Sequence, residues 1–309
     1  MVEEKETRQE KYKDVEENIR KEEKKDEIKK IVKKGFKIFF IVFGIFVGFL
    51  LYMHYVGTSG LVVREYKVSS KKLPSEMHGL KVVHFSDLNY LSTTNKKSLK
   101  KTVNKINELK PDIVVFTGNL VASGIKLEEK DKKDIIKYLN MIDSKIGVYA
   151  IKGSKDYNKQ YDSIMAETNI KILNNSYEVI YYKGNTPILL NGCGSSNKKD
   201  CDLGQTFSYS EMDNLYTITL VHEPDVTKDI IKNYKTDIIL AGHSLNGQIR
   251  LPGIGGLIKP KGAKKYVNPK YEFKNTTLYV SGGLGTNGSK LRYFNHPSIN
   301  FYRLVKETN

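Results

Sequence analysis

Ile238-Ile239-Leu240-Ala241-Gly242-His243-Ser244-Leu245-Asn246-Gly247-Gln248-Ile249-Arg250-Leu251-Pro252 is the stretch whose reading decides the fold of this chain. An apolar run, residues 238–241, ends in Gly242-His243 and then in a turn rich in Asn and Gly. A buried strand delivers a side chain to the carboxyl edge of a sheet in this way, and α/β proteins place their sites there. The same pattern closes the runs Val82-Val83-His84-Phe85-Ser86-Asp87, Ile113-Val114-Val115-Phe116-Thr117-Gly118-Asn119, Val148-Tyr149-Ala150-Ile151-Lys152-Gly153 and Thr217-Ile218-Thr219-Leu220-Val221-His222-Glu223-Pro224.

Working outward, the segments between these runs carry helical periodicity around residues 99–109, 135–142, 161–167 and 226–234, so strands and helices alternate. An edge strand is expected at 62–68. Runs at 170–173, 179–182 and 188–190 follow one another without a helix, which predicts antiparallel pairing among them. Strands at 248–251, 278–280 and 301–305 close the chain. The fold class is α/β, an α+β sandwich of two mixed β-sheets flanked by helices.

The chain has 309 residues, 39% of them hydrophobic, enough for one large core once tails are set aside. Its net charge is +16, nearly all from Lys. Such a balance attracts an anionic partner such as a membrane surface, although a Lys- and Asn-biased composition alone would produce it. No Arg-rich or aromatic-interleaved cluster is present, which argues against nucleic acid.

Residues 1–37 mix Glu and Lys densely, with Tyr12, Val15 and Ile19 as a thin apolar stripe. They read as a solvated helix or a disordered tail on the cytoplasmic side. Residues 38–56 carry no formal charge and match the roughly 20 residues that cross a bilayer. They are long for the apolar core of a signal peptide, and Thr58-Ser59-Gly60 is a weak cleavage site, so an uncleaved single-pass transmembrane anchor is expected. Lys29, Lys30, Lys33, Lys34 and Lys37 precede the span and place the N-terminus in the cytoplasm. Residues 57–309 then form an extracellular domain at the cell membrane. Gly44 and Gly48, four apart, offer a face for a homodimer of spans. Cys193 and Cys201 either form a short-loop disulfide or stay free thiols.

Taken together, Ser86-Asp87-Leu88-Asn89, Thr117-Gly118-Asn119-Leu120-Val121, Gly153-Ser154-Lys155-Asp156, His222-Glu223-Pro224-Asp225 and Gly242-His243-Ser244-Leu245-Asn246-Gly247-Gln248 resemble the ordered blocks of the calcineurin-like metallophosphoesterases. The likeness is greatest to a membrane-anchored bacterial branch whose blocks read SDLH, TGDLV, GNHD, a His before Pro-Asp, and GHTHGGQIRLP. Gly283-Leu284-Gly285-Thr286 and Arg292-Tyr293-Phe294-Asn295 resemble its closing segment, so the resemblance covers about residues 62–305. It implies two divalent metals held by Asp, His and Asn, with a metal-bound hydroxide attacking phosphorus. Metals roughly 3.5–4 Å apart clamp the attacking and leaving oxygens, and a bridging carboxylate offsets their mutual repulsion.

Measured against that pattern, Asp87, His222 and His243 match ligand positions and are the candidate metal residues. Asn119 stands where the family has its bridging Asp. Asn89 and Leu245 stand in place of His ligands, Ser154 in place of an Asn ligand, and Lys155 in place of the His used near the phosphate. Asp156, beside Lys155, is a candidate ion-pair partner for it. His54, His78, His84 and His296 match no ligand position. The substitutions predict a catalytically degenerate pseudoenzyme whose Lys155 binds a phosphorylated or anionic ligand, with no cofactor assigned beyond a possible single divalent metal. Two alternatives stand: an active hydrolase with a single divalent metal on a remodelled site, and a sensor or scaffold acting through the charged cytoplasmic tail.

Overall fold

The protein is described from a computed structural model that covers residues 2–209 and 215–307, with side chains from residue 8. Residues 1, 210–214 and 308–309 of the expected segments lie outside the described residues. The chain divides into two compact units, Met1–Tyr52 and Met53–Asn309.

The first unit is helix α1, Val2–Leu51. Of the two readings of the charged tail, helix is the one adopted. Pairs Lys21–Glu17, Lys25–Glu22 and Lys29–Asp26, three or four residues apart, lie along its surface, and such pairs each add a few tenths of a kcal/mol to an exposed helix. The helix runs unbroken into the apolar stretch, where Phe39, Phe40, Phe43 and Phe46 are all exposed. Among the described residues this is the one helix long and apolar enough to cross a membrane.

In the second unit the alternating pattern becomes two mixed six-stranded sheets. The first is ordered β1 (Val62–Ser70), β14 (Ser298–Lys306), β2 (Lys81–Phe85), β3 (Ile113–Phe116), β4 (Gly147–Ala150) and β5 (Lys171–Ile172). The second is ordered β12 (Lys270–Glu272), β13 (Thr277–Val280), β9 (Ile238–Ala241), β8 (Tyr216–Val221), β7 (Ile188–Gly192) and β6 (Ser176–Ile180). A small hairpin, β10 (Arg250–Leu251) and β11 (Gly255–Gly256), stands apart.

Side chains alternate across each strand, so consecutive valines serve two cores. Val82 and Val115 face Leu190, Ile218 and Leu240 between the sheets. Val83 and Val114 face outward, onto the apolar stripes of α2 (Lys96–Glu108), α3 (Glu129–Asn140) and α4 (Lys159–Ala166). Behind the second sheet, Leu189 and Ile239 pack with Ile230 of α6 (Thr227–Asn233). Strands covered on both faces read as unbroken apolar runs, which is why β3 and β9 stood out in the sequence.

One expectation is corrected. The runs near 171, 179 and 189 do not form one antiparallel group: β5 pairs parallel with β4 in the first sheet, and only β6 and β7 pair antiparallel. Leu173 donates its N–H to Ala150, and Asn175 then takes the left-handed conformation at φ 52°. The chain turns there and leaves one sheet for the other.

Candidate functional site

The register levels the strand ends. Phe85 lies opposite Phe116 and Phe116 opposite Ala150 in the first sheet, and Val221 lies opposite Ala241 in the second. The residues that follow emerge side by side: Asp87 and Asn89 after β2, Asn119 after β3, Ser154 and Lys155 after β4, His222 after β8, His243 and Leu245 after β9. The turns are tight. A Cβ on Gly242 would fall 2.0 Å from the Ser86 hydroxyl and 3.0 Å from Asp87 Oδ2, so only glycine leaves room there for those two side chains. Asp87, Asn89, Asn119, His243 and Leu245 all take positive φ, between 43° and 65°. For a leucine this conformation costs roughly 1–3 kcal/mol and persists only where the surroundings over-determine it. Leu245 is buried, with its side chain against Gly283 beside Asp87.

Asp87 is enclosed and fully engaged. Its Oδ1 accepts from the Asn119 side-chain amide at 2.8 Å. Its Oδ2 accepts from the Ser86 hydroxyl at 2.7 Å and from the His243 backbone N–H at 2.8 Å. Burial alone would raise this carboxyl, but His222, Ser86, His243 and Asn119 together hold it below the usual carboxylate range.

The Asn119 side-chain oxygen, Oδ1, accepts the Lys155 backbone N–H at 3.0 Å. The Lys155 ammonium donates to the Asn89 side-chain oxygen at 2.7 Å and to that of Asn287 at 3.0 Å. Burial draws this amine below its ordinary range, against the opposing pull of Asp87 and Asp156. The expected ion pair between Lys155 and Asp156 is not formed. Asp156 instead accepts three backbone N–H groups, from Asn119 at 2.6 Å, Leu120 at 2.9 Å and Gly153 at 2.8 Å. It thereby fastens the end of β3 to the end of β4. Burial raises its carboxyl even so, because those three bonds offset only part of the desolvation.

The two matching histidines meet edge to face with ring centroids 5.0 Å apart. His222 Nδ1 pairs with the Thr117 carbonyl at 2.6 Å, and His243 Nε2 with the Lys261 carbonyl at 2.7 Å. A carbonyl partner fixes each of those nitrogens as the N–H, leaving His222 Nε2 and His243 Nδ1 as buried lone pairs without a partner. Burial, then His222, lowers the pKa of His243. Ligand atoms of His222, Glu223 and His243 lie within 4.8 Å of one another. The Glu223 carboxylate also accepts from Ser195 Oγ at 2.6 Å and the Ser196 N–H at 2.8 Å.

These donors fit one cation far better than a pair. Two unpartnered imidazole nitrogens and a carboxylate are the chemistry of a single transition-metal site. A second ion would need the places taken by the Leu245 side chain, by the Asn119 amide N–H aimed at Asp87, and by a cationic Lys155.

Ser154 and Lys155 lie on the wall of a cleft of about 450 Å³ that also gathers Lys126, Lys198 and Tyr157. Lys198 is held there by a short loop that the Cys193–Cys201 disulfide closes, Cα to Cα 5.1 Å. Tyr157 ties that loop to the site, donating to Asp200 at 2.6 Å and accepting the Ser195 N–H at 2.9 Å. Three members of this neighbourhood carried no role in the sequence reading: Asn287, Glu223 and the fully buried Arg292. Arg292 donates to the carbonyls of Gly283, Gly285 and Asn295 and so shapes the closing segment that presents Asn287. The last two lay inside recognised blocks, which was the available signal; Asn287 gave none.

A family profile for the calcineurin-like phosphoesterases matches residues 80–247, more than half of the chain. The uncharacterized metallophosphoesterase YkuE of Bacillus subtilis is 29% identical over 262 residues, covering 84% of this chain and 90% of that protein. The UDP-2,3-diacylglucosamine pyrophosphatase LpxG of Chlamydia muridarum is 25% identical over 290 residues, covering 75% and 86%. A Danio rerio transmembrane protein with a metallophosphoesterase domain is 25% identical over 252 residues, covering 77% of this chain and 56% of its own length.

Proposed function

The chain belongs to the calcineurin-like phosphoesterase family, and from that premise we propose that it is a membrane-anchored member which binds a phosphate-bearing anion without paired-metal hydrolysis. The observation that carries the reading is the hydrogen bond from Asn119 to Asp87. A bridging ligand must offer lone pairs to two ions, and an amide nitrogen offers none. Two dications about 4 Å apart repel by roughly four times the 4 kcal/mol of a unit-charge pair at an effective dielectric of 20. No shared negative charge is present at position 119 to offset that repulsion.

The amide and the ammonium instead make a site that needs no second ion. Lys155 supplies one fixed positive charge, held by Asn89 and Asn287. Lys126 and Lys198 add two more along the same cleft. An incoming phosphate oxygen would take ammonium protons from neutral carboxamide oxygens, and the bond in which both partners are charged is the stronger of the two.

A second reading is favoured by the two unpartnered imidazole nitrogens. There His222, His243 and Glu223 would hold one divalent ion, which would supply a Lewis acid for a phosphoester. Asp87 belongs to that set in the sequence reading, but the carboxylate whose oxygen lies within 4.8 Å of the ligand nitrogens of both histidines is that of Glu223, which makes Glu223 the third donor of this reading.

The anchor reading places the N-terminus in the cytoplasm, on the strength of the lysines before residue 38, and the second unit outside the cell. Gly44 and Gly48, open in the helix, give the span a face for a second copy.

The test uses the full-length protein in detergent, purified without chelator. Inorganic phosphate is expected to raise the melting temperature, and Lys155→Ala to abolish the rise. An unchanged melting temperature, or an equal rise in the variant, ends the anion-binding reading. Stoichiometric single metal, with phosphodiester hydrolysis lost in His243→Ala, would establish the second reading in its place.

A further inference from the structure

The hairpin formed by β10 and β11 leaves its apolar side chains in solvent. Ile254, in the turn between the strands, is 73% exposed, Leu257 49% and Ile258 39%. Phe294, from the closing segment, is 63% exposed, and its backbone holds a left-handed φ of 48°. Ile254 and Phe294 line one open groove of about 360 Å³ together with Pro252 and Arg250. Ile254 and Phe294 share that groove, and Leu257 and Ile258, exposed directly after β11, extend the apolar surface of the same segment beyond the single exposures that a surface normally carries.

The rim is tied to the place where the globular unit begins. Met53, its first residue, follows directly in sequence on the apolar helix, and its carbonyl accepts the Arg292 N–H at 3.0 Å. His54 Nδ1 pairs with the Lys290 carbonyl at 2.8 Å. Two residues on from Arg292 is Phe294. Tyr293 bridges to Ile249, and its carbonyl accepts the Arg250 N–H at 2.9 Å. A short run of backbone bonds therefore joins the start of the unit to the apolar rim. The same two segments carry cations: Lys259, Lys261 and Lys290 are exposed. Arg250 holds its guanidinium in the groove through the Asn246 carbonyl at 2.8 Å and the Asn268 side chain at 3.1 Å.

We propose that this rim, Ile254, Leu257, Ile258 and Phe294, rests in the interface of the bilayer that anchors the chain, with Arg250 and the flanking lysines among anionic headgroups. The proposal rests on the apolar part of α1, which ends at Leu51, crossing the membrane. An apolar face ringed by Lys and Arg settles roughly 5–10 Å into the boundary between headgroups and acyl chains. The span supplies what such a small patch lacks by itself, because a tether makes docking intramolecular. The hairpin is also coupled to the site. Gly247 packs on Gly256, where a Cβ would fall 2.4 Å from its Cα, and Leu257 donates to Ile249 at 2.9 Å. Docking thus holds the turn after His243 close to the headgroup layer.

The chain contains no tryptophan, so one introduced residue reports alone. Full-length Ile254→Trp, Phe294→Trp, Tyr181→Trp and Phe46→Trp are each reconstituted into phosphatidylcholine and phosphatidylglycerol vesicles, with and without bromine on the acyl chains. Tyr181 is 59% exposed beside β6, at the sheet edge opposite β12. The proposal expects blue-shifted emission and bromine quenching at 254, 294 and 46, and neither at 181. Quenching at 46 alone overturns the docked rim and leaves the anchor standing. No quenching at 46 overturns the anchor and the rim with it. Equal quenching at 181 and 254 overturns the rim as a specific contact.

Discussion

Asn119 donates its side-chain N–H to Asp87 Oδ1 at 2.8 Å, both residues being buried. An amide satisfies a lone carboxylate at that distance; a second carboxylate would not. Asn119→Asp, which writes the family residue back, is therefore expected to destabilise the chelator-treated protein. Two like charges about 4 Å apart cost on the order of 4 kcal/mol at an effective dielectric of 20. The penalty should fade toward pH 4, where the carboxyl whose pKa the mutual repulsion raises keeps its proton. Urea unfolding of both proteins at pH 7 and pH 4 reads it, and equal midpoints at pH 7 would contradict the account.

Histidine 84 lies beneath the site, its Nε2 on the Thr117 hydroxyl at 2.9 Å. Burial pulls its pKa down to about 3, against the opposing charge of Asp87. Above the ordinary value of about 6.5 neither the folded nor the unfolded chain protonates this ring. Between that value and about 3 only the unfolded chain does, so stability falls as the pH drops, by up to about 1.4 kcal/mol per unit. His84→Gln should flatten the stability profile between pH 6.5 and pH 4 relative to the parent. Parallel profiles would show that the ring is not held neutral.

The disulfide closes a loop of sequence separation 8. A loop that short is worth about 2.5 kcal/mol in the chain-entropy account. Cys193→Ser with Cys201→Ser should lower the unfolding free energy by that order. It should also weaken phosphate binding, because Lys198 loses its brace beside the cleft. Unchanged affinity would remove Lys198 from the anion site.

Arginine 292 is fully buried and donates to three backbone carbonyls. Arg292→Ala leaves those acceptors without partners in the interior, at a cost on the order of 1–3 kcal/mol for each one that stays unsatisfied. Thermal melts read the loss. A change under about 1 kcal/mol would mean that water or a shifted segment replaces the guanidinium.

Much of this arrangement was legible in the sequence, and the reason is local. Strands such as β3 and β9, buried on both faces, must be apolar throughout, and the turn that ends each one must carry Gly, Asn, Asp or His. Strand, turn and candidate site residue are therefore read from one short block. The disposition of Asp156 was illegible because its three donors come from two strand ends, two of them more than thirty residues away. Adjacency to Lys155 said nothing about them. Asn287 was missed for a like cause: an Asn in a glycine-rich segment carries no pattern, and the reach of Lys155 across the cleft brings it in. The β5 strand was misassigned because two paired residues are too few to show a period. Its sheet is chosen by β4, not by its own side chains.

Metal stoichiometry of the full-length protein tests the central claim most directly. The protein would be produced with zinc and manganese in the medium, purified without chelator, and its metal measured per chain by plasma mass spectrometry. The account predicts at most one ion per chain, with no rise on adding excess metal. Two ions per chain, the second lost in Asn119→Ala, would contradict it.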